Sequence, residues 1–143
     1  MKELQFSVDI QATNNVVWDT LWQDETFREW AGIIDPETYM VGELKEGNEV
    51  QFISAHGGYG VTSLVEALIP HEFLLLRHSA DTQESGTKER EDEWTGGKEA
   101  YSLKEENGTT TLTVIFDVPE EMETMFHESY PLALERIKQL AET

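Results

Sequence analysis

The chain has 143 residues, 38% of them hydrophobic, which is the size and apolar content of one domain with one core. It carries 10 Lys and Arg against 29 Asp and Glu, a net charge of −19 that repels phosphate backbones and anionic lipid headgroups and so argues against nucleic acid and membrane surfaces as partners. There is no Cys, which excludes disulfides, thiolate chemistry and cysteine-based metal sites.

The first element alternates strictly. Leu4, Phe6, Val8 and Ile10 point one way and Glu3, Gln5, Ser7 and Asp9 the other, the period of a strand with one buried face. Met1-Lys2-Glu3 runs directly into this strand with no apolar leader, and no stretch approaches a membrane span. A cytoplasmic protein is expected. Ala12-Thr13-Asn14 breaks the alternation, and Val16, Val17, Trp18, Leu21, Trp22, Phe27 and Trp30 follow at helical spacing as two short helices. Trp30 is expected to end the second. Ala31-Gly32 and Asp35-Pro36 then close the helical region.

Strand-like sequence follows over about 37–43, 49–55, 60–69, 72–79, 94–104 and 109–117. Gly47-Asn48 makes the first turn, His56-Gly57-Gly58-Tyr59-Gly60 the second and Pro70-His71 the third. Asn107-Gly108 is the strongest local signal, a hairpin turn between Tyr101-x-Leu103 and Leu112-x-Val114-x-Phe116. In a cytoplasmic protein the sequon at Asn107 is incidental. The segment 80–92 has no large apolar residue and is expected to be an exposed, mobile loop.

Pro119-Glu120-Glu121 suits a helix start, with acids in the first turn. Met122, Phe126, Tyr130, Ala133, Ile137 and Leu140 then recur on one helix face. Pro131 removes a backbone donor inside this helix and is expected to kink it or interrupt its bonding, opening it from the sheet and leaving Trp30 and Tyr130 partly unpacked. The fold expected is α+β: a curved antiparallel sheet wrapped around a long C-terminal helix, with two short helices after the first strand.

The residues that carry this order resemble a known superfamily. They are Ile10-Gln11-Ala12-Thr13-Asn14-Asn15-Val16-Val17-Trp18, Phe27-x-x-Trp30, Gly47-x-x-Val50-x-Phe52, the run from Leu64 to Leu74, the run from Asn107 to Val114, and Tyr130 with Leu134-x-x-Ile137-Lys138-x-Leu140. Together they resemble the START-like (Bet v 1-like, helix-grip, SRPBCC) superfamily, in the branch related to the activator of Hsp90 ATPase. The resemblance covers nearly the whole chain and implies a single START-like domain over 1–143. The superfamily includes lipid carriers, hormone and flavonoid binders, polyketide cyclases and co-chaperone-like domains. The chain departs from its commonest pattern in the acidic segment 80–92 and in Pro131.

Catalytic motifs are absent. None of the four histidines, His56, His71, His78 and His127, has metal-ligand spacing. His71 and His78 lie on one predicted strand, seven apart, and so on opposite faces. Gly57-Gly58-Tyr59-Gly60 lacks the Lys-Ser/Thr and the helix that a phosphate loop needs. No cofactor is implied.

The aromatics are the lead. Trp30, Phe52, Trp94, Tyr101, Phe116, Phe126 and Tyr130 converge between sheet and last helix, either as a filled core or as the wall of a cavity, with Met122 beside them. His78 is the best candidate for a polar ligand contact. A cavity with its mouth near 31–36 and 80–92 would bind a small hydrophobic or aromatic molecule. A filled core with an exposed apolar patch would fit a co-chaperone-like interaction domain instead. A buried acid or histidine in the pocket would fit a cyclase- or hydrolase-like enzyme.

Overall fold

The structure is a computed structural model and describes residues 1–54, 59–83 and 95–143. The elements run β1 (Lys2–Ile10), α1 (Asn14–Trp22), α2 (Asp24–Ile34), β2 (Thr38–Val41), β3 (Glu49–Ser54), β4 (Tyr59–Ile69), β5 (Phe73–Gln83), β6 (Lys98–Glu106), β7 (Thr109–Val118) and α3 (Glu123–Ala141). A 3-10 turn over Glu120–Met122 leads into α3. One seven-stranded sheet has the order β1-β7-β6-β5-β4-β3-β2, with every neighbour antiparallel. This is the helix-grip fold that the sequence resemblance implies. No helix among the described residues is long and apolar enough to cross a membrane.

Period-two alternation positions the core. In β7, Thr110, Leu112, Val114, Phe116 and Val118 are buried while their neighbours are half-exposed. Leu4 and Ile10 do the same in β1, which pairs with β7 along its whole length. Asn107 and Gly108 both take positive φ, 54° and 80°, as a type I′ turn requires, and Glu106 pairs directly with Thr109. Two register shifts between β4 and β5, at Thr62/Ser63 and Val65/Ala67, bend the sheet.

Three boundaries differ from the sequence reading. Trp30 does not end α2, which continues through Ala31 and Gly32 to Ile34, with Ala31 buried on the same face as Phe27 and Trp30. His71 is not on a strand: it sits at φ 69° in the turn before β5, against the Trp18 ring. Only His78 belongs to β5, so the expected division across two strand faces does not arise. β5 itself runs on through Gln83, four residues into the segment expected as a loop. Most of that segment, and most of the turn around His56, lie outside the described residues.

Helix α3 lays Phe126, Tyr130, Ala133, Leu134 and Ile137 into the sheet. It continues through Pro131 without a break. The expected unpacking of Trp30 and Tyr130 does not occur, since these rings are only 3% and 4% exposed. Pro131 and His127, the residue four back whose carbonyl loses its helical donor, are both exposed, so the lost bond lies on the solvent face and the buried stripe keeps its packing.

Candidate functional site

The interior is not filled throughout. Between α2, the sheet and the first turns of α3 lies a cavity of about 170 Å³. Helix α2 contributes Phe27, Trp30, Ala31 and Ile34, a face set by their spacing of three and four. The sheet contributes Phe52, Val61 and Phe116, and α3 contributes Phe126 and Tyr130. Ring contacts fix these walls: Phe27 lies 5.2 Å from Trp30 and 5.9 Å from Phe52, and Phe116 lies 5.3 Å from Phe126 and 4.8 Å from Tyr130, centroid to centroid. The Trp30 indole donates to the Leu21 carbonyl at 3.1 Å, which locks its orientation. Gly60 permits the close approach of β3 and β4 here, because a Cβ at that position would sit 2.3 Å from the Phe52 carbonyl oxygen.

A polar chain crosses one wall. Successive inward positions of the sheet carry Ser63 on β4, His78 on β5, and Glu99 and Tyr101 on β6. His78 is only 2% exposed; its Nδ1 lies 2.7 Å from the hydroxyl of fully buried Ser63, and its Nε2 lies 3.8 Å from Glu99 Oε1. Backbone bonds hold it on both sides: its N–H donates to Gly97 at 2.8 Å, and its carbonyl accepts from Gly96 at 2.7 Å. Tyr101 donates a short hydrogen bond to the other carboxylate oxygen of Glu99. Tyr130 in turn hydrogen-bonds Tyr101.

The charge of Glu99 and the burial of both rings act together on the phenols. Burial raises the Tyr101 hydroxyl far above the ordinary tyrosine value, and the Glu99 charge adds to the effect. Tyr130 is raised strongly for the same two reasons, in the same order, while its bond to Tyr101 acts in the opposite sense. Both tyrosines therefore stay neutral donors throughout the physiological range.

A second polar group lies where α2 passes into β2. Ser54 donates to Asp35 Oδ1 at 3.0 Å, and the Thr38 hydroxyl donates to the Asp35 carbonyl at 2.5 Å. Asp35, Thr38 and Ser54 all face the cavity. No group of three or more metal-ligating side chains occurs among the described residues.

Of the residues singled out from sequence, Trp30, Phe52, His78, Tyr101, Phe116, Phe126 and Tyr130 surround this cavity. Met122 does not. It lies in the 3-10 turn ahead of α3, packed against the core away from the void. Trp94 lies outside the described residues. Sequence reasoning missed Glu99, although it is in phase with the inward-facing Tyr101 and Leu103 of the same strand. It also missed Phe27, which shares the helical face of Trp30, and Asp35, which was read only as a helix terminator.

No protein-family model and no curated relative match the chain. Solved structures do. An Aha1 dimer from Colwellia psychrerythraea is similar at a TM-score of 0.72 and 18% identity, covering 99% of this chain and 97% of that one. Protein MLL2253 from Mesorhizobium loti matches at 0.72 and 14%, covering 97% and 96%. DynU16, a protein from the dynemicin biosynthetic locus, matches at 0.71 and 15%, covering 100% of this chain and 48% of that one. Identities this low speak for the fold and not for a shared activity.

Proposed function

We propose that this protein binds a small hydrophobic or aromatic molecule between the sheet and α3. The observation that carries this reading is a void of about 170 Å³, walled by packed aromatic rings, inside an otherwise close-packed fold. A cavity of roughly 150 Å³ lined by apolar side chains takes up benzene, so the space here suits a single-ring molecule. The rings are already ordered by one another, which lowers the entropic cost of binding. Similarity of fold to a protein from a biosynthetic locus is compatible with a small-molecule role.

Native mass spectrometry of protein purified from its own host, paired with a calorimetric titration with toluene, tests the reading. Retention of a small molecule, or saturable toluene binding, is the expected result. Failure of both would remove it.

A second reading, a cyclase- or hydrolase-like enzyme, is favoured by the buried His78–Glu99 pair on the cavity wall. Its expected sign is hydrolysis of a small activated aryl ester above the background of folded His78→Ala. Equal rates would argue against it. The protein-interaction alternative keeps the fold similarity to Aha1 and the exposed side chains Ile33, Met125 and Leu132 on α2 and α3. The hollow interior favours the small-molecule reading over it.

A further inference from the structure

We infer that the edge strand β2 and the turn leading into it are the gate of this cavity, with the Ser54 hydroxyl as its latch: a ligand enters and leaves when residues 35–41 lift from β3. This rests on the small-molecule reading above and adds the route by which that site is filled.

A route is needed because the aromatic walls are closed to solvent. Phe27, Trp30 and Phe116 are each 3% exposed, so a ligand reaches them only when part of the wall moves. Exposure rises toward one corner. Ile34 and Asp35 at the end of α2, Thr38 on β2, and Phe52 and Val61 on the next two strands also line the cavity, and all are half-exposed. Of the other described lining residues only Glu99, on β6, is exposed to that degree.

This corner is also the wall held by the least. Strands β4 to β7 pair with a neighbour on both sides, whereas β2 is four residues long, lies at the sheet edge and pairs with β3 alone. None of its residues is fully buried. The chain enters β2 through Glu37 at φ 62° and leaves it through Gly42 at φ 104°. Positive φ on both sides of so short a strand gives two points at which backbone rotation can move it as a unit. What holds the corner down is polar. The Ser54 hydroxyl lies 3.0 Å from Asp35 Oδ1 and 3.3 Å from the Pro36 carbonyl, and Thr38 donates to the Asp35 carbonyl at 2.5 Å. When a segment lifts, water replaces bonds of this kind at modest net cost, whereas prying packed rings apart exposes apolar area. The corner therefore opens more readily than any ring-packed wall.

The test uses a disulfide as a bolt. Thr38 and Ser54 stand directly opposite in the β2–β3 register and both face the cavity, the arrangement that a cross-strand disulfide spans. The chain has no Cys of its own, so Thr38→Cys/Ser54→Cys can form only the intended bond within one molecule. Exchange of toluene between bound and free states is read by NMR magnetisation transfer. The oxidised variant is expected to exchange about tenfold or more slowly than the same protein reduced. Val41→Cys/Gln51→Cys, a second opposed pair that does not line the cavity, should slow exchange in the same sense. It also serves where the first pair fails to fold or to cross-link. Ser54→Ala, checked for folding by circular dichroism, should speed toluene dissociation about threefold or more. Equal exchange in the oxidised and reduced forms of a cross-linked pair, or unchanged rates in Ser54→Ala, would overturn the gate and leave the small-molecule reading standing. If toluene does not bind the unaltered protein at all, and no small molecule is retained from the host, the reading falls and the gate with it.

Discussion

The two ends of the interior are built from the same elements and do opposite things. At one end, β1, β7, α1 and the C-terminal half of α3 bring together Ile10, Val17, Leu21, Leu112, Ala133 and Ile137, all fully buried. At the other, α2, β3 to β6 and the first turns of α3 surround an opening with rings and a carboxylate. The difference lies in side-chain type. Aliphatic side chains interdigitate closely at the first, whereas rings in contact with one another make the wall at the second. On the proposed reading, fold stability and ligand chemistry are separated along the length of a single helix.

The largest effect expected belongs to the filled end. Ile137→Ala should lower stability in urea by about 2–5 kcal/mol, because the close-packed site cannot collapse around the loss. At the hollow end the same operation should do less. Tyr130→Ala removes a bigger side chain, yet one that already borders a void, and about 2 kcal/mol is expected, below the usual range for aromatic truncation. It should also admit larger probes, such as naphthalene, in the calorimetric titration. A cost for Tyr130→Ala exceeding that of Ile137→Ala would show that the cavity wall is ordinary core.

Alkali should act on the hollow end. Tyr101 and Tyr130 have folded values raised above the unfolded one, so their contribution is fully present below about pH 10 and is lost as pH rises beyond it. Each should contribute a slope of about 1.4 kcal/mol per pH unit there, the unfolded chain releasing protons that the folded chain holds. Tyr101→Phe should flatten the alkaline limb of a urea-midpoint profile, and an unchanged limb would place the titration elsewhere.

Salt should have the smallest effect and should not distinguish the two ends. The chain carries a net charge of −19, and ion pairs such as Arg28–Asp24 and Lys98–Glu3 are exposed and weak. Raising ionic strength from low to physiological should lift Tm by about 2 °C through screening of the general repulsion. A fall in Tm would mean that those pairs outweigh it.

The architecture was legible because strands that bury one face show it residue by residue. β1 and β7 alternate without exception, and Asn107-Gly108 supplies the backbone geometry that only a few residue types accept. The aromatic wall was legible for a related reason: large rings in phase on a strand or helix face must go somewhere apolar. The acidic part of the site was hidden by company. Glu99 sits in a strand with Lys98, Lys104, Glu105 and Glu106, where an acid reads as one more solvated charge, and only its phase with Tyr101 separates it from the others. Asp35 was hidden by its turn, since its contact with Ser54 joins positions far apart in sequence. Pro131 misled in the other direction, because sequence gives its position along the helix but says nothing of how little its exposed face matters to packing.

One pairing carries a consequence for how the molecule comes into being. β1 has a single partner in the sheet, β7, and Lys2 lies opposite Val118. During synthesis β1 leaves the ribosome long before β7, the strand it pairs with, has been made. Its Leu4, Phe6, Val8 and Ile10 must remain unpaired while α1, α2 and five further strands are made. Closing so long a stretch of chain is slow compared with forming the local hairpins. The alternation of Glu3, Gln5, Ser7 and Asp9 with those apolar residues keeps the waiting strand polar on one side, so the pattern that gives the finished sheet its outer face also serves the nascent chain.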